Sequence, residues 1–275
     1  MTSVAIPRDT TAGGARRRTR WLGRAWVLRT TSVLVVFGLW ELIGRRNTFS
    51  LSYPTAIARA AYHSFVPEVL PALSDTMSAF WLGYVICALL GIPLGLLMAR
   101  SRLVELALWP YVSALYATPR LALIPVLILW LGVTFEMRVS VVIMSGIFPI
   151  ALNSYLGAKE VDKDLLDAGV AFAASPLRIL RTVVVPGSLH YIFAGLRLGL
   201  GRALIGTVVA EIEASVVGLG NLISTNARVL AMDRMFVVIF VLGFFSLGCS
   251  ALLKSGERWA TMPWTRGRLA WPSRA

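Results

Sequence analysis

The sequence predicts an all-α membrane protein with six transmembrane helices. Three observations carry this. Of the 275 residues, 57% are hydrophobic and only 15% are charged. With a mean hydropathy of +0.72, that departs from water-soluble chains, which carry about 45–50% apolar and about 25% charged residues. The apolar residues are gathered into stretches close to the ~20 residues that cross ~30 Å of hydrocarbon as a helix. Short polar segments, many rich in arginine, separate or flank them. The same composition excludes disordered, collagen-like and disulfide-scaffold chains.

Along the chain, a basic tail over residues 1–25 precedes a first span from about Trp26 to Gly44. No small-residue cleavage site follows that span, so it is expected to stay as an anchor. Ser52-Tyr53-Pro54 then opens an amphipathic stretch, with the serine as expected N-cap and the proline in the first turn. This stretch is expected to lie along the outer surface or to be a plain connector. The second span covers about Met77 to Ala99 and stops at Arg100 and Arg102. The third, about Tyr111 to Gly132, is interrupted by prolines: Pro110, Pro119 and Pro125 free backbone carbonyls that only protein or water can satisfy. The fourth, fifth and sixth run from about Val139 to Gly157, Leu189 to Ile212 and Met235 to Leu253. A membrane domain over 26–255 and a basic tail over 256–275 complete the expected organisation.

Charge sets the orientation. The net charge of +13 would suit a nucleic-acid binder, but the arginines crowd beside apolar segments. Positive-inside anchoring accounts for them, and no nucleic acid is expected. With both termini in the cytoplasm, the inner segments hold about three times as many Lys and Arg as the outer ones. Arg45 and Arg46 run against the rule.

The inner segment from about Ala158 to Pro186 reads as helix, tight turn, helix. Asp162 and Asp164 favour a helix start, Ala173-Ala174 break the helix, and Ser175 caps a second one with Pro176 in its first position. Pro186-Gly187 is expected to end that second helix ahead of the fifth span.

Asp167-Ala168-Gly169, then Ala173, then Val183, Val185 and Pro186 stand at the spacings of the EAA loop that marks permease subunits of bacterial ABC importers. The flanks resemble the same group: Leu123-Ile124-Pro125, Leu129-Trp130-Leu131-Gly132, Phe148-Pro149-Ile150 with Asn153, Tyr191 to Arg197, Val209-Ala210-Glu211 and Gly218-Leu219-Gly220. Together they resemble permeases of the nitrate, sulfonate, taurine and thiamine-precursor type. The resemblance implies a type I ABC importer permease fold in the bacterial cytoplasmic membrane, a second copy of the chain and an extracytoplasmic solute-binding protein. It also implies separate ATP-binding cassette ATPase subunits, coupled through Asp167, Ala168, Gly169, Phe172, Ala173, Ser175 and Pro186. Three positions depart from the pattern: Asp167 replaces glutamate, Gly169 replaces alanine and Ala173 replaces glycine. If position 173 is left-handed, an alanine there costs about 1–2 kcal/mol.

No glycine-rich phosphate loop ending in Lys-Ser/Thr occurs, so the energy source is expected to be another polypeptide and the chain itself non-catalytic. The alternative, a secondary transporter independent of an ATPase, would use titratable acids near mid-bilayer. None falls at the centre of a predicted span.

Charges inside spans are costly. Gly195, Gly199, Arg202, Gly206 and Glu213 fall within about 60° of one another on a helical wheel. Such a stripe is either a helix–helix seam or a lining of the translocation path, with Arg202 meeting an anionic solute. Arg120 either satisfies carbonyls freed by the prolines or faces a solute. Arg120, Arg202, Gly199 and Gly206 are therefore the candidate path. Arg197 and Glu211 lie near opposite ends of the fifth span and cannot pair. Cys87 and Cys249 are expected to be packing residues, and the isolated His63 and His190 give no metal or catalytic site. No cofactor is expected.

Overall fold

A computed structural model describes residues 13–46, 51–214 and 217–268, which contain helices and no strand. Residues 1–12 and 269–275 of the two predicted tails, with Arg8 and Arg274, lie outside the described residues. The rest of those tails is helical. Helix α1 (Gly13–Arg46) starts well before Trp26, and no proline between Pro7 and Pro54 interrupts it. The last helix, α11 (Met232–Arg268), likewise continues past residue 256.

Helix α2 (Pro54–Ser64) has Tyr53 as N-cap and no side-chain bond from that residue. Ser52 does not cap it either; its carbonyl accepts from Trp40 Nε1 at 2.9 Å. A carboxylate from α1 takes the place instead. Glu41 accepts from Thr55 N at 3.1 Å and from Thr55 Oγ1 at 2.6 Å, a charge-assisted bond at the positive end of the helix.

Two predicted boundaries vanish into π-turns. Phe65–Val69 joins α2 to α3 (Leu70–Arg100) in one 47-residue run, over twice the ~20 residues a span needs. The helix of the second span thus begins far ahead of Met77. Leu180–Val184 joins α8 (Pro176–Ile179) to α9 (Val185–Ala214) in the same way. Pro186 therefore lies in the first turn of α9 rather than ending the preceding helix. In each case the residue before a proline donates five residues back, Leu70 N to Phe65 O and Val185 N to Leu180 O. Pro71 and Pro186 lack the next amide and crowd the carbonyl four residues behind, and widening by one residue lets the helix continue.

The third predicted span is not one helix. Helix α4 (Arg102–Ala117) and the segment Arg120–Leu131, a 3₁₀ turn followed by α5 (Ile124–Leu131), meet at 88°. Thr118 is extended (φ −67°, ψ 138°) because the ring of Pro119 excludes the helical region for the residue before it. Among the described residues five helical runs are long and apolar enough to cross a membrane, and this bent pair, taken as one span, makes a sixth.

Helices α3, α6 (Phe135–Lys159) and α9 form the centre. Phe80, Tyr84 and Cys87 of α3 meet Val142 and Ile150 of α6 and Leu200, Ala203 and Leu204 of α9, with Cys249 of α11 alongside. Both cysteines are buried packing residues. From Trp26 on, helix α1 leaves most of its apolar side chains exposed, Leu34 among them, as a lipid-facing helix does.

Candidate functional site

The hairpin between α6 and α9 exposes apolar side chains at one end of the bundle. Helix α7 (Lys163–Ala171) starts on Asp162, whose carboxylate accepts from Asp164 N at 2.9 Å. It ends in a paired closure: Ala174 N donates to Gly169 O at 3.0 Å and Ala173 N to Val170 O at 2.8 Å. This Schellman arrangement needs a left-handed residue at its corner, and Ala173 adopts it with φ 51°. Ser175 then accepts from Arg178 N at 3.4 Å and starts α8, with Pro176 in the first turn. Gly169 sits on Ile179, where a Cβ would come within 3.1 Å of Cγ1; the glycine lets the two arms close on each other.

One side of the hairpin is anchored and the other is bare. Val161, Ile179 and Val184 are buried with Ala158 of α6 and Leu96 of α3. On the other side Leu165, Val170, Leu177 and Phe172 are exposed, Phe172 by 87%. Asp167, Ala168, Ala173 and Ser175 are exposed as well, while Gly169 and Pro186 are half-buried.

At mid-depth the structure brings Arg120 and Arg202 to one cavity of about 330 Å³, lined also by Tyr116, Thr118, Ser145 and Ile205. Arg120 NH1 donates to Met144 O at 3.2 Å and Ser145 O at 3.4 Å. The reason lies in α6: Pro149 has no amide, so the Ser145 carbonyl four residues back has no helical partner. The guanidinium stacks over the Tyr116 and Phe148 rings, 5.5 and 5.6 Å from their centroids. Arg120 thus both satisfies a freed carbonyl and faces the cavity, although the freeing proline is Pro149 rather than one in its own segment.

The glycine stripe divides. Gly199 packs against Ile150, where a Cβ would approach Cγ1 at 2.7 Å, and a Cβ on Gly206 would collide with Ser145. Both belong to the seam between α6 and α9 and neither lines the cavity. Arg202, on the edge of the stripe, is exposed.

At the end of the bundle opposite the hairpin, Glu211 of α9 is wholly buried. Its carboxylate accepts from Thr76 Oγ1 and from Gly220 N, both at 2.9 Å, and Arg138 lies 3.5 Å away. Thr76 Oγ1 in turn accepts from Leu219 N at 2.8 Å. Glu211 and Thr76 thereby hold the first amides of α10 (Gly218–Arg228). Arg197, at the hairpin end, pairs instead with Glu257 of α11. Sequence reasoning missed Arg138, Thr76 and the stacking rings; Pro149 inside an apolar run was the signal for the freed carbonyl. No group of three or more His, Cys, Asp or Glu among the described residues is placed to hold a metal ion.

A bundle with a broken third span, a cavity holding two arginines and an exposed hairpin has the form of a membrane-spanning protein. The chain belongs to the family described as binding-protein-dependent transport system inner membrane component, whose profile matches residues 91–259, more than half of it. It is 29% identical over 260 residues to the taurine transport system permease protein TauC of Escherichia coli, covering 90% of this chain and 94% of that one. A probable ABC transporter permease protein of Haemophilus influenzae is 34% identical over 217 residues, covering 78% and 88%. The putative aliphatic sulfonates transport permease protein SsuC of Bacillus subtilis is 27% identical over 236 residues, covering 84% and 86%. Among solved structures, the MetNI methionine ABC transporter in an inward-facing form superposes with a TM-score of 0.64 at 16% identity, covering 72% of this chain and 99% of that one. The fold is that of a type I ABC importer permease, and the chain is an inner-membrane permease subunit.

Proposed function

We propose that this chain works as a pair around a shared path and is driven by separate ATPase subunits that grip the 162–184 hairpin. In this reading a binding protein delivers a small solute, of the kind the taurine, sulfonate and formylaminopyrimidine permeases are named for, and both termini are cytoplasmic. One observation carries the assignment. The hairpin exposes Val170, Phe172 and Leu177 beside the acid Asp167 while its other side is locked into the bundle. Exposed apolar side chains on a rigid mount mark a docking surface, and a rigid lever converts closure of a motor into tilting of helices.

The second copy is supported from mid-depth. Arg202 lies 17 residues into the 30-residue α9 and is exposed. A guanidinium facing hydrocarbon there would cost about 2.5–3.5 kcal/mol or more. Another protomer and a water-filled passage on that face remove the cost, so the cavity with Arg120 is assigned to the path and the Gly199–Gly206 stripe to the seam. The test is solute uptake into proteoliposomes holding this chain and its ATPase. Uptake is expected to require ATP and the binding protein and to stop with Phe172→Asp, which also releases the ATPase. Uptake driven by an ion gradient without the ATPase would overturn the reading.

A further inference from the structure

We propose that the cavity between Arg120 and Arg202 is an anion site, and that the solute passing it is a small organic oxyanion of net negative charge. Zwitterions and cationic heterocycles are disfavoured. The inference rests on the reading of this cavity as the path.

The donors are present and uncommitted. Arg120 uses one terminal nitrogen for the carbonyls of Met144 and Ser145, and its other N–H groups have no described partner. Arg202 is exposed and makes no hydrogen bond or ion pair among the described residues. Each guanidinium carries five donors in a planar fork that matches the edge of an oxyanion.

Carboxylates are missing from the lining: among the described residues, no Asp or Glu lines the cavity. Glu105, Glu211 and Glu257 are each engaged by other partners away from this cavity. The two guanidiniums feel each other's charge without a counter-ion. In a low-dielectric setting such a pair focuses a positive potential that draws anions and repels cations. A zwitterion would gain at its anionic end and find no carboxylate for its ammonium. Thr118 and Ser145 add hydroxyls, while Pro119, Leu121 and Ile205 give an apolar wall for the body of the solute. The volume of about 330 Å³ is at the small end for organic ligands, which occupy roughly 300–1,000 Å³. Arg120 has a structural duty towards α6; Arg202 has none, and an unpaired arginine at this depth is what an anion site requires.

The experiment places a thiol on the wall with Ile205→Cys, in the full chain in native membranes. Two methanethiosulfonate reagents are compared, one bearing a sulfonate and one a trimethylammonium group, each normalised to its rate with free cysteine. Cys87 and Cys249 are buried, and the chain without the substitution gives the background. The sulfonate reagent is expected to be favoured by about tenfold or more, as a focused positive potential predicts. Ethanesulfonate should slow it and choline should not. Arg202→Gln should lower the preference several-fold and Arg202→Lys should keep it; neither removes the Arg120 bonds that hold α6. Equal rates, or a preference for the cationic reagent, would overturn the anion site while leaving a water-filled path. Failure of both reagents and of a neutral one to react would instead overturn the path itself.

Discussion

Ala173 shows how one residue can carry strain at an exposed corner. Its left-handed backbone is required by the closure of α7, and an L side chain there costs about 1–2 kcal/mol, partly offset by the lower chain entropy of alanine when unfolded. Ala173→Gly is accordingly expected to stabilise the protein by about 0.5–1 kcal/mol, read as a raised midpoint of thermal unfolding with slower amide exchange at Phe172–Ala174. Leu230 repeats the device at the end of α10, with φ 57° and Ala231 N donating to Asn226 O at 2.9 Å. The two arginines separate by the same kind of reasoning. Arg120→Leu leaves the Ser145 carbonyl without a partner and should cost about 1–3 kcal/mol. Arg202→Leu orphans nothing and should cost no stability, so thermal unfolding of the two variants distinguishes them. That Arg120 and Arg202 share a cavity was not legible in sequence, because 81 residues separate them and an 88° bend intervenes.

Among the elements, α10 depends most on groups outside itself. Its N-cap Val217 offers no side-chain bond, so Glu211 and Thr76 hold its first amides and a carboxylate sits at the positive end of the helix dipole. Glu211→Ala would leave Arg138 short of its counter-charge and the Gly220 amide unpaired. A loss of about 3–5 kcal/mol is expected, against about 1–3 kcal/mol for Thr76→Val, both read from thermal unfolding in detergent. The apolar runs made the central helices legible, since α3, α6 and α9 cover the second, fourth and fifth spans. The π-turns were not legible. A proline ordinarily ends or kinks a helix, and nothing local in Pro71 or Pro186 announces that the chain will widen and continue. The prolines of the third span did announce interruption; its angle depends on packing against α6 and α9.

Over the whole molecule, ionic ties join helices at both ends of the bundle. At the hairpin end Glu105 of α4 accepts from Tyr155 at 2.5 Å and from Lys159 at 3.0 Å on α6, and Glu257 of α11 pairs with Arg197 of α9. At the far end Arg234 of α11 reaches Glu68 at 3.1 Å. The helices α3, α6 and α9 share one core, and in the proposed reading a push on the hairpin turns them together. The most direct measurement of whether an ATPase grips the hairpin is a set of disulfide cross-links from Asp167→Cys and Phe172→Cys to cysteines placed on the ATPase, with and without nucleotide. A single product joining this chain to a nucleotide-hydrolysing subunit is expected at both positions, with a yield that changes when ATP is bound. Cross-links that capture no such subunit, while the same substitutions leave ATP-dependent uptake intact, would contradict it.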